Sequence, residues 1–343
     1  MEEKKDNEKR VYDNLIELVK DLVPQSPLIR LMNDANYYFK PSRSYELIGF
    51  GNKVLAMGNL WDIRSFRGES KEHDSCEASI YRNNKHDGTY DSEAIVIDEI
   101  RCLEFENIIK TFPQVKAAIS DSANVDYMAL AQHYGLNTKM VDVSYSIETA
   151  VYFATHRLNN DIMEPVGDDI GCLRMFFDLA FINQEDITTG KLHYVGLQCF
   201  KRPGLQGAMG IETEFGEDLS KQCTTYYFKQ NLEISNRIHA NYHRDEDNRI
   251  TERSILFPEE EVCDIAEIVK KTESLSEKAV RDYCILNNQN YDKIVGVLNK
   301  RGIALQSCPV YELSDDRILE LEKEYEGSPY GDVQLFSRLM RLE

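Results

Sequence analysis

Between Met128 and Thr155 the spacing of apolar and polar positions changes twice. Met128, Leu130 and Ala131 open a helical run that breaks at Gly135, just past His133 and Tyr134. Thr138 to Val143 has the β-branched and apolar content of a half-buried strand. Ser144, Tyr145 and Ser146 then lead into a second helix, with Ile147, Ala150, Val151, Phe153 and Ala154 on its apolar face. The pattern predicts helix, turn, strand, polar turn and helix in close succession. A polar turn between a strand end and a helix start is a place where backbone N–H groups and hydroxyls converge on a ligand.

The same reading extends outward from this segment. A helical stripe runs from Val11 to Val23 and stops at Pro24, and a second short helix is expected over Leu28 to Phe39. Glycines 49, 51 and 58 suggest turns around short strands. Leu60 to Gly68, with the single tryptophan Trp61, reads as a strand entering a glycine turn. Lys71 to Asp91 is polar and reads as a surface loop. Ala94 to Phe112 is a long helix ended by Pro113. Strands are expected at Cys172 to Phe181 and Leu192 to Phe200, the latter running into a glycine-rich turn at Lys201 to Gly210 and then Ile211 to Phe215. From Thr224 the pattern turns helical and charged, with helices through Val262 to Val269, Ser276 to Arg301 and Ile318 to Tyr325. The implied organisation is an N-terminal helical segment (1–40), an α+β core (41–222) and a mainly helical C-terminal region (223–343).

Composition narrows the partners. The chain has 343 residues and a net charge of −19, a field that repels phosphate backbones and anionic membranes, so nucleic-acid binding is disfavoured. No apolar run is long enough to span a bilayer, and the charged N-terminus has no secretory h-region, so no membrane partner and a cytoplasmic location are expected. Eight cysteines are spread singly without C-x-x-C, which reads as reduced, mostly buried thiols. His239 and His243 are spaced to share a metal on a helix, but without H-E-x-x-H or an evident third ligand no metal is expected. Gly204, Gly207 and Gly210 do not have the G-x-G-x-x-G spacing, and no Walker A or G-x-S-x-G sequence occurs.

Three separated pieces carry a resemblance. Phe66-Arg67-Gly68 resembles the motif that names the FRG domain of bacterial and phage proteins. Ala131-Gln132-His133-Tyr134-Gly135 with Thr138 resembles that family's A-Q-H-Y-G-x-x-T, and Asp142 with Ala150-x-Tyr152-Phe153-Ala154 resembles its L-D-W-T…A-x-Y-F-A. The family's T-R-L-L-D-W-T is here Thr138 to Ser144 with Lys139 and Val143 in place of Arg and Trp; lysine keeps the charge and loses the planar fork.

A looser similarity is to the R-S-E pattern of ADP-ribosyltransferases, through Arg67, Ser144-Tyr145-Ser146 and a glutamate in Glu212-Thr213-Glu214; Tyr152-Phe153-Ala154 also resembles the G-x-Y-F-A segment of the poly-ADP-ribose polymerase branch. These resemblances imply an α+β fold whose mixed or antiparallel sheet core is similar to the ADP-ribosyltransferase split sandwich, flanked by helices. They imply NAD as substrate, with the nicotinamide–ribose bond cleaved and ADP-ribose passed to water or a protein acceptor, and a place in toxin or phage-defence biology. Arg67 would hold the cofactor, Ser144 would order the site, and Glu212 or Gln206 would stabilise the developing cation. Gly68, His133, Tyr134 and Tyr152 would line the pocket.

Each residue also has a plainer reading. Arg67 pairs with Asp142 or a nearby glutamate, His133 is a hydrogen-bonded packing histidine, Tyr152 and Phe153 are core, and Ser144 is a helix cap. The rival functions are a non-catalytic module that binds a nucleotide or protein partner, and an inert interaction scaffold.

Overall fold

Seven strands drawn from most of the chain's length form the central sheet: β1 (Val11–Tyr12), β2 (Arg64–Glu69), β3 (Met140–Ser144), β4 (Ile170–Phe177), β5 (Leu192–Tyr194), β6 (Ala208–Glu212) and β7 (Thr224–Lys229). They lie in the order β1-β7-β4-β2-β3-β6-β5, antiparallel throughout except for β1 beside β7. The structure is a computed structural model that describes residues 11–34, 36–39, 45–50, 53–57, 64–120, 125–159, 162–182, 190–195, 200–244, 249–324 and 335–338. The chain is an α+β protein with a mixed sheet, as its pattern predicts.

Each face of the sheet is covered by a separate core. The Ile147–Thr155 helix packs its Ile147, Ala150, Val151 and Ala154 onto Phe66, Leu173 and Phe228, together with the Leu15–Leu22 and Pro27–Asn33 helices. Val141, Val143, Phe176, Met209 and Ile211 bury the opposite face against Cys76, Ala78 and Ile80. The Ser92–Ile109 helix is apolar on several sides because it serves several cores: Ile95 packs under the sheet, Phe105 and Ile108 pack against the Tyr127–His133 and Glu261–Lys271 helices, and Ile97 and Ile100 pack with the Glu277–Leu286 and Tyr291–Lys300 helices. Among the described residues no helix is long and apolar enough to cross a membrane.

Several elements differ from their expected form. Thr224–Lys229 is a sheet strand rather than the start of a helical region, so the sheet takes β1 and β7 from outside the 41–222 span. The segment read as a surface loop at 71–91 holds a short helix, Ser79–Arg82, and a hairpin of Lys85–His86 with Thr89–Tyr90, and Cys76 to Tyr81 are buried. Lys201–Gln206 is a helix ended by Gly207 at φ +57°, not a glycine-rich loop. Pro113 opens a further helix, Pro113–Ser120. The helix expected over Ser276 to Arg301 is two, Glu277–Leu286 and Tyr291–Lys300. Trp61 and the first residues of its expected strand lie outside the described residues, as do positions 196–199 of the strand expected after Leu192. Among the described residues all cysteines are free thiols.

Candidate functional site

The centre of the sheet has a seam. β2 and β3 share the register pair Phe66↔Ser144 and no other among the described residues, whereas β3 pairs β6 along its whole length. Past Phe66 the two strands part, and Arg67 bridges the opening. Its Nη1 donates to the Asp142 carbonyl at 2.9 Å and to Asp142 Oδ1 at 2.7 Å, and its Nε donates to Glu69 Oε1 at 3.0 Å. The guanidinium thus takes a β3 carbonyl that a neighbouring strand's N–H would otherwise take. Both plainer partners foreseen for Arg67, Asp142 and a glutamate, are present together.

The pairing continues along β4. Arg174, the cross-strand partner of Arg67, donates from Nε to Glu69 Oε2 at 3.0 Å and from Nη2 to the His73 carbonyl. Glu69 and Arg174 are buried, Arg67 is 18% exposed, and Asp142 is 43% exposed. Burial opposes ionisation of Asp142, but the Arg67 charge outweighs it and holds the carboxyl down at about 2. The same carboxylates raise the Arg67 pKa against the effect of its burial.

The A-Q-H-Y-G run sits over this pair. Asp126 caps the Tyr127–His133 helix through the Ala129 N–H, and Gly135, at φ +85°, turns the chain after it. Gln132 Nε2 donates to Asp142 Oδ1 at 3.3 Å, while its Oε1 accepts from Thr138 Oγ1 at 2.6 Å and Ser79 Oγ at 3.1 Å. His133 places one ring nitrogen 3.1 Å from Gln206 Oε1 and the other 3.3 Å from the Met209 carbonyl. Tyr134 donates to Glu260 and carries Arg202 over its ring. Lys139, at the family's arginine position, pairs with Glu99.

Ser144 is buried, accepting from the Ser146 N–H and donating from Oγ to the Gln206 carbonyl at 2.6 Å. Ser146, not Ser144, caps the Ile147–Thr155 helix. Because Phe66 and Ser144 are register partners, Ser144 and Arg67 leave the sheet on opposite faces. Gly68 faces the Ile147–Thr155 helix, where a Cβ would stand 1.7 Å from the Ala150 carbonyl oxygen. Tyr152 is fully buried, stacked on His156 at 4.1 Å, with its hydroxyl near His243. Gln206 spends its amide on the Leu256 carbonyl.

Glu212 lies on the next strand. Gly210 is the register partner of Asp142, so Asp142 and Glu212 project from one face, roughly 8 Å apart at Cα by strand spacing and rise per residue. Glu212 is 40% exposed, and its Oε2 accepts from His193 Nε2 at 3.3 Å. His193 Nδ1 meets Asp126 Oδ2 at 2.5 Å. Burial disfavours the charged imidazole, but the bonds to the two carboxylates raise it to about 9, and His193 in turn keeps Glu212 below the usual carboxylate range. Glu212 Oε1 has no hydrogen bond among the described residues.

The structure therefore joins Arg67 to Asp142, His133 to Gln206 and Ser144 to the Gln206 backbone, and leaves Gly68 and Tyr152 facing the core beneath β2. Gln132, Glu69, Arg174, Asp126 and His193 were not singled out from sequence; Gln132 alone had a signal, its place in the A-Q-H-Y-G run. His239 and His243 stack ring on ring at 3.7 Å. Among the described residues no group of three or more His, Cys, Asp or Glu is placed to hold a metal. A cavity of about 510 Å³ lies elsewhere, between the Ser92–Ile109 helix and residues 271–273 and 301–303, with Asn137 in its wall.

No curated protein and no solved structure matches the chain. The family model of the FRG domain matches residues 63–162, the span that holds Arg67, the A-Q-H-Y-G run, Asp142 and Tyr152. The chain carries an FRG domain.

Proposed function

We propose that this chain binds NAD and cleaves its nicotinamide–ribose bond. The observation that carries the reading is the placement of Glu212 on the same sheet face as the Arg67-paired Asp142, one strand away. A carboxylate kept ionised and fixed by His193, with Oε1 unengaged, suits a group that stabilises positive charge at C1′ by its field, without proton transfer. In the step, the C1′–nitrogen bond breaks, nicotinamide leaves with the electron pair, and an acceptor oxygen bonds C1′ as it gives up its proton. Water as acceptor makes the activity a glycohydrolase; a protein side chain makes it an ADP-ribosyltransferase of the kind implied by the R-S-E resemblance. Ser144, on the face of β3 that also carries Asp142, ties this strand to the end of the Lys201–Gln206 helix.

One observation favours a second reading, a module that binds a nucleotide without turning it over: Arg67 is already neutralised by Glu69 and Asp142. Incubation with NAD and measurement of released nicotinamide separates them. The enzyme reading expects release by the wild type and a fall on the order of 100-fold in Glu212→Gln, the usual cost of removing a preorganised electrostatic group. Saturable NAD binding without release supports the module. Neither binding nor release overturns both.

A further inference from the structure

Arg67 meets Asp142 through one nitrogen and one carboxylate oxygen, not through the two-pronged contact the pair is able to make. That geometry leaves Arg67 Nη2 and Asp142 Oδ2 without a hydrogen bond among the described residues, and neither is sealed from solvent. A fixed planar donor and a fixed acceptor therefore flank a single ion-pair contact. The cluster behind them is electrically balanced, with Arg67 and Arg174 set against Glu69 and Asp142. In a chain of net charge −19, a balanced cluster offers a diphosphate no net attraction.

A neutral group with one acceptor and one donor side by side fits such an edge better. We propose, resting on the NAD reading above, that Arg67 and Asp142 recognise the nicotinamide carboxamide rather than the diphosphate. The carboxamide oxygen accepts from Arg67 Nη2, and its NH2 donates to Asp142 Oδ2. This assignment sets the pyridine ring beside Asp142 and the ribose toward Glu212 on the neighbouring strand, in the order that cleavage at C1′ needs. Gln132 and Thr138 act as positioning residues: Gln132 holds Oδ1 of Asp142 and Thr138 holds the Gln132 amide, which leaves Oδ2 for the ligand.

The test compares NAD with nicotinic acid adenine dinucleotide, which differs in carrying a carboxylate where NAD has the carboxamide. Dissociation constants are measured by calorimetry for the wild type and for Asp142→Asn. The wild type should prefer NAD by about 100-fold or more, since the acid analogue sets a like charge against Asp142. Asp142→Asn removes that charge and presents a donor, so the preference should collapse to within about threefold, mainly through tighter binding of the acid analogue. Should the variant fail to fold, the wild-type ratio decides alone. Equal affinity of the wild type for the two dinucleotides overturns the carboxamide assignment and leaves the NAD reading standing. Binding of neither overturns both.

Discussion

Thr138 Oγ1 donates to Gln132 Oε1 at 2.6 Å across the glycine turn, and this bond decides which end of the Gln132 amide faces Asp142. With Oε1 taken by Thr138 and Ser79, Nε2 is left to donate to Asp142 Oδ1. The Thr138 hydroxyl also accepts from the Met140 N–H at the start of β3, and the residue is buried. Thr138→Val keeps the shape and removes both bonds, leaving a buried backbone donor unmet. The expected loss is about 1–3 kcal/mol of unfolding free energy, read from urea transitions. Thr138→Ser, which retains the hydroxyl, should lose much less; equal losses would show that packing, not the hydrogen bonds, is what matters here.

Gly68 is where β2 and the Ile147–Thr155 helix come closest. An added methyl would meet the Ala150 carbonyl carbon and the Ala154 nitrogen at 2.7 Å as well as the Ala150 oxygen, and all three are backbone atoms that no rotamer change can move aside. Gly68→Ala should therefore destabilise by about 3 kcal/mol or more, at the upper end for overpacking. A thermal shift within a degree of the wild type would mean that the helix moves away at little cost.

Much of this site could be read in the sequence where the determining contacts are local, and much less where they are distant. The helix, turn, strand and helix from Met128 to Thr155 appear nearly where periodicity puts them, because their apolar positions and the cap Ser146 lie within the segment and the cap Asp126 just ahead of it. The β7 strand, Thr-Thr-Tyr-Tyr-Phe-Lys, is mostly polar and buries Phe228 alone; pairing with β4, some fifty residues away, makes it a strand. Lys201–Gln206 contains Pro203 and Gly204, poor helix formers. Its first N–H groups, at Lys201 and Arg202, are met by Glu260, a partner that no local pattern reveals. The polar stretch at 71–91 folds inward for a like reason. Asp218 accepts from the Cys76 N–H, and Ser79 is held to the Thr138 segment. Asp142 and a nearby glutamate were visible as alternative partners for Arg67; Arg174 on the far side of Glu69 was not, since its place depends on the register of β2 against β4.

Replacing Arg67 tests stability and function together. Arg67→Ala leaves Glu69 partly compensated by Arg174 and leaves Asp142 without its cation, and breaking a buried pair from one side costs about 3–5 kcal/mol. Partial exposure of Asp142 puts the expectation at the low end of that range, about 3 kcal/mol. Arg67→Lys keeps a charge but cannot reach Glu69 and the Asp142 carbonyl at once, so a smaller loss is expected, with ligand binding reduced as strongly as in the alanine variant. Denaturant midpoints measured beside NAD titrations separate the two effects. A lysine variant that binds NAD like the wild type would show that charge alone suffices at this position.

Two groups of histidines push the pH dependence of stability in opposite directions. His156 and His239 lie in a stacked column with His243 and Tyr152; His156 Nδ1–H bonds the Tyr152 carbonyl, leaving Nε2 to accept from His239. Burial lowers His156 to about 3, and burial followed by the neighbouring His243 lowers His239 to about 4. These imidazoles are less basic folded than unfolded. Their contribution is complete above the ordinary value of 6.5 and is lost as pH falls from there toward 4 and 3. His193 behaves oppositely: Asp126 and Glu212 overcome its burial and raise it to about 9, so its contribution is complete below 6.5 and is lost as pH rises through 9. Each imidazole adds a slope of at most ~1.4 kcal/mol per pH unit within its window. Urea midpoints between pH 4 and 10 should fall off on both sides. His239→Gln should make the acid side shallower, with His156 supplying what remains, and His193→Gln should flatten the side from pH 6.5 to 9, each leaving the other side unchanged. An alkaline limb that persists in His193→Gln would remove the Asp126–His193–Glu212 chain as its cause, and with it the argument that His193 keeps Glu212 charged.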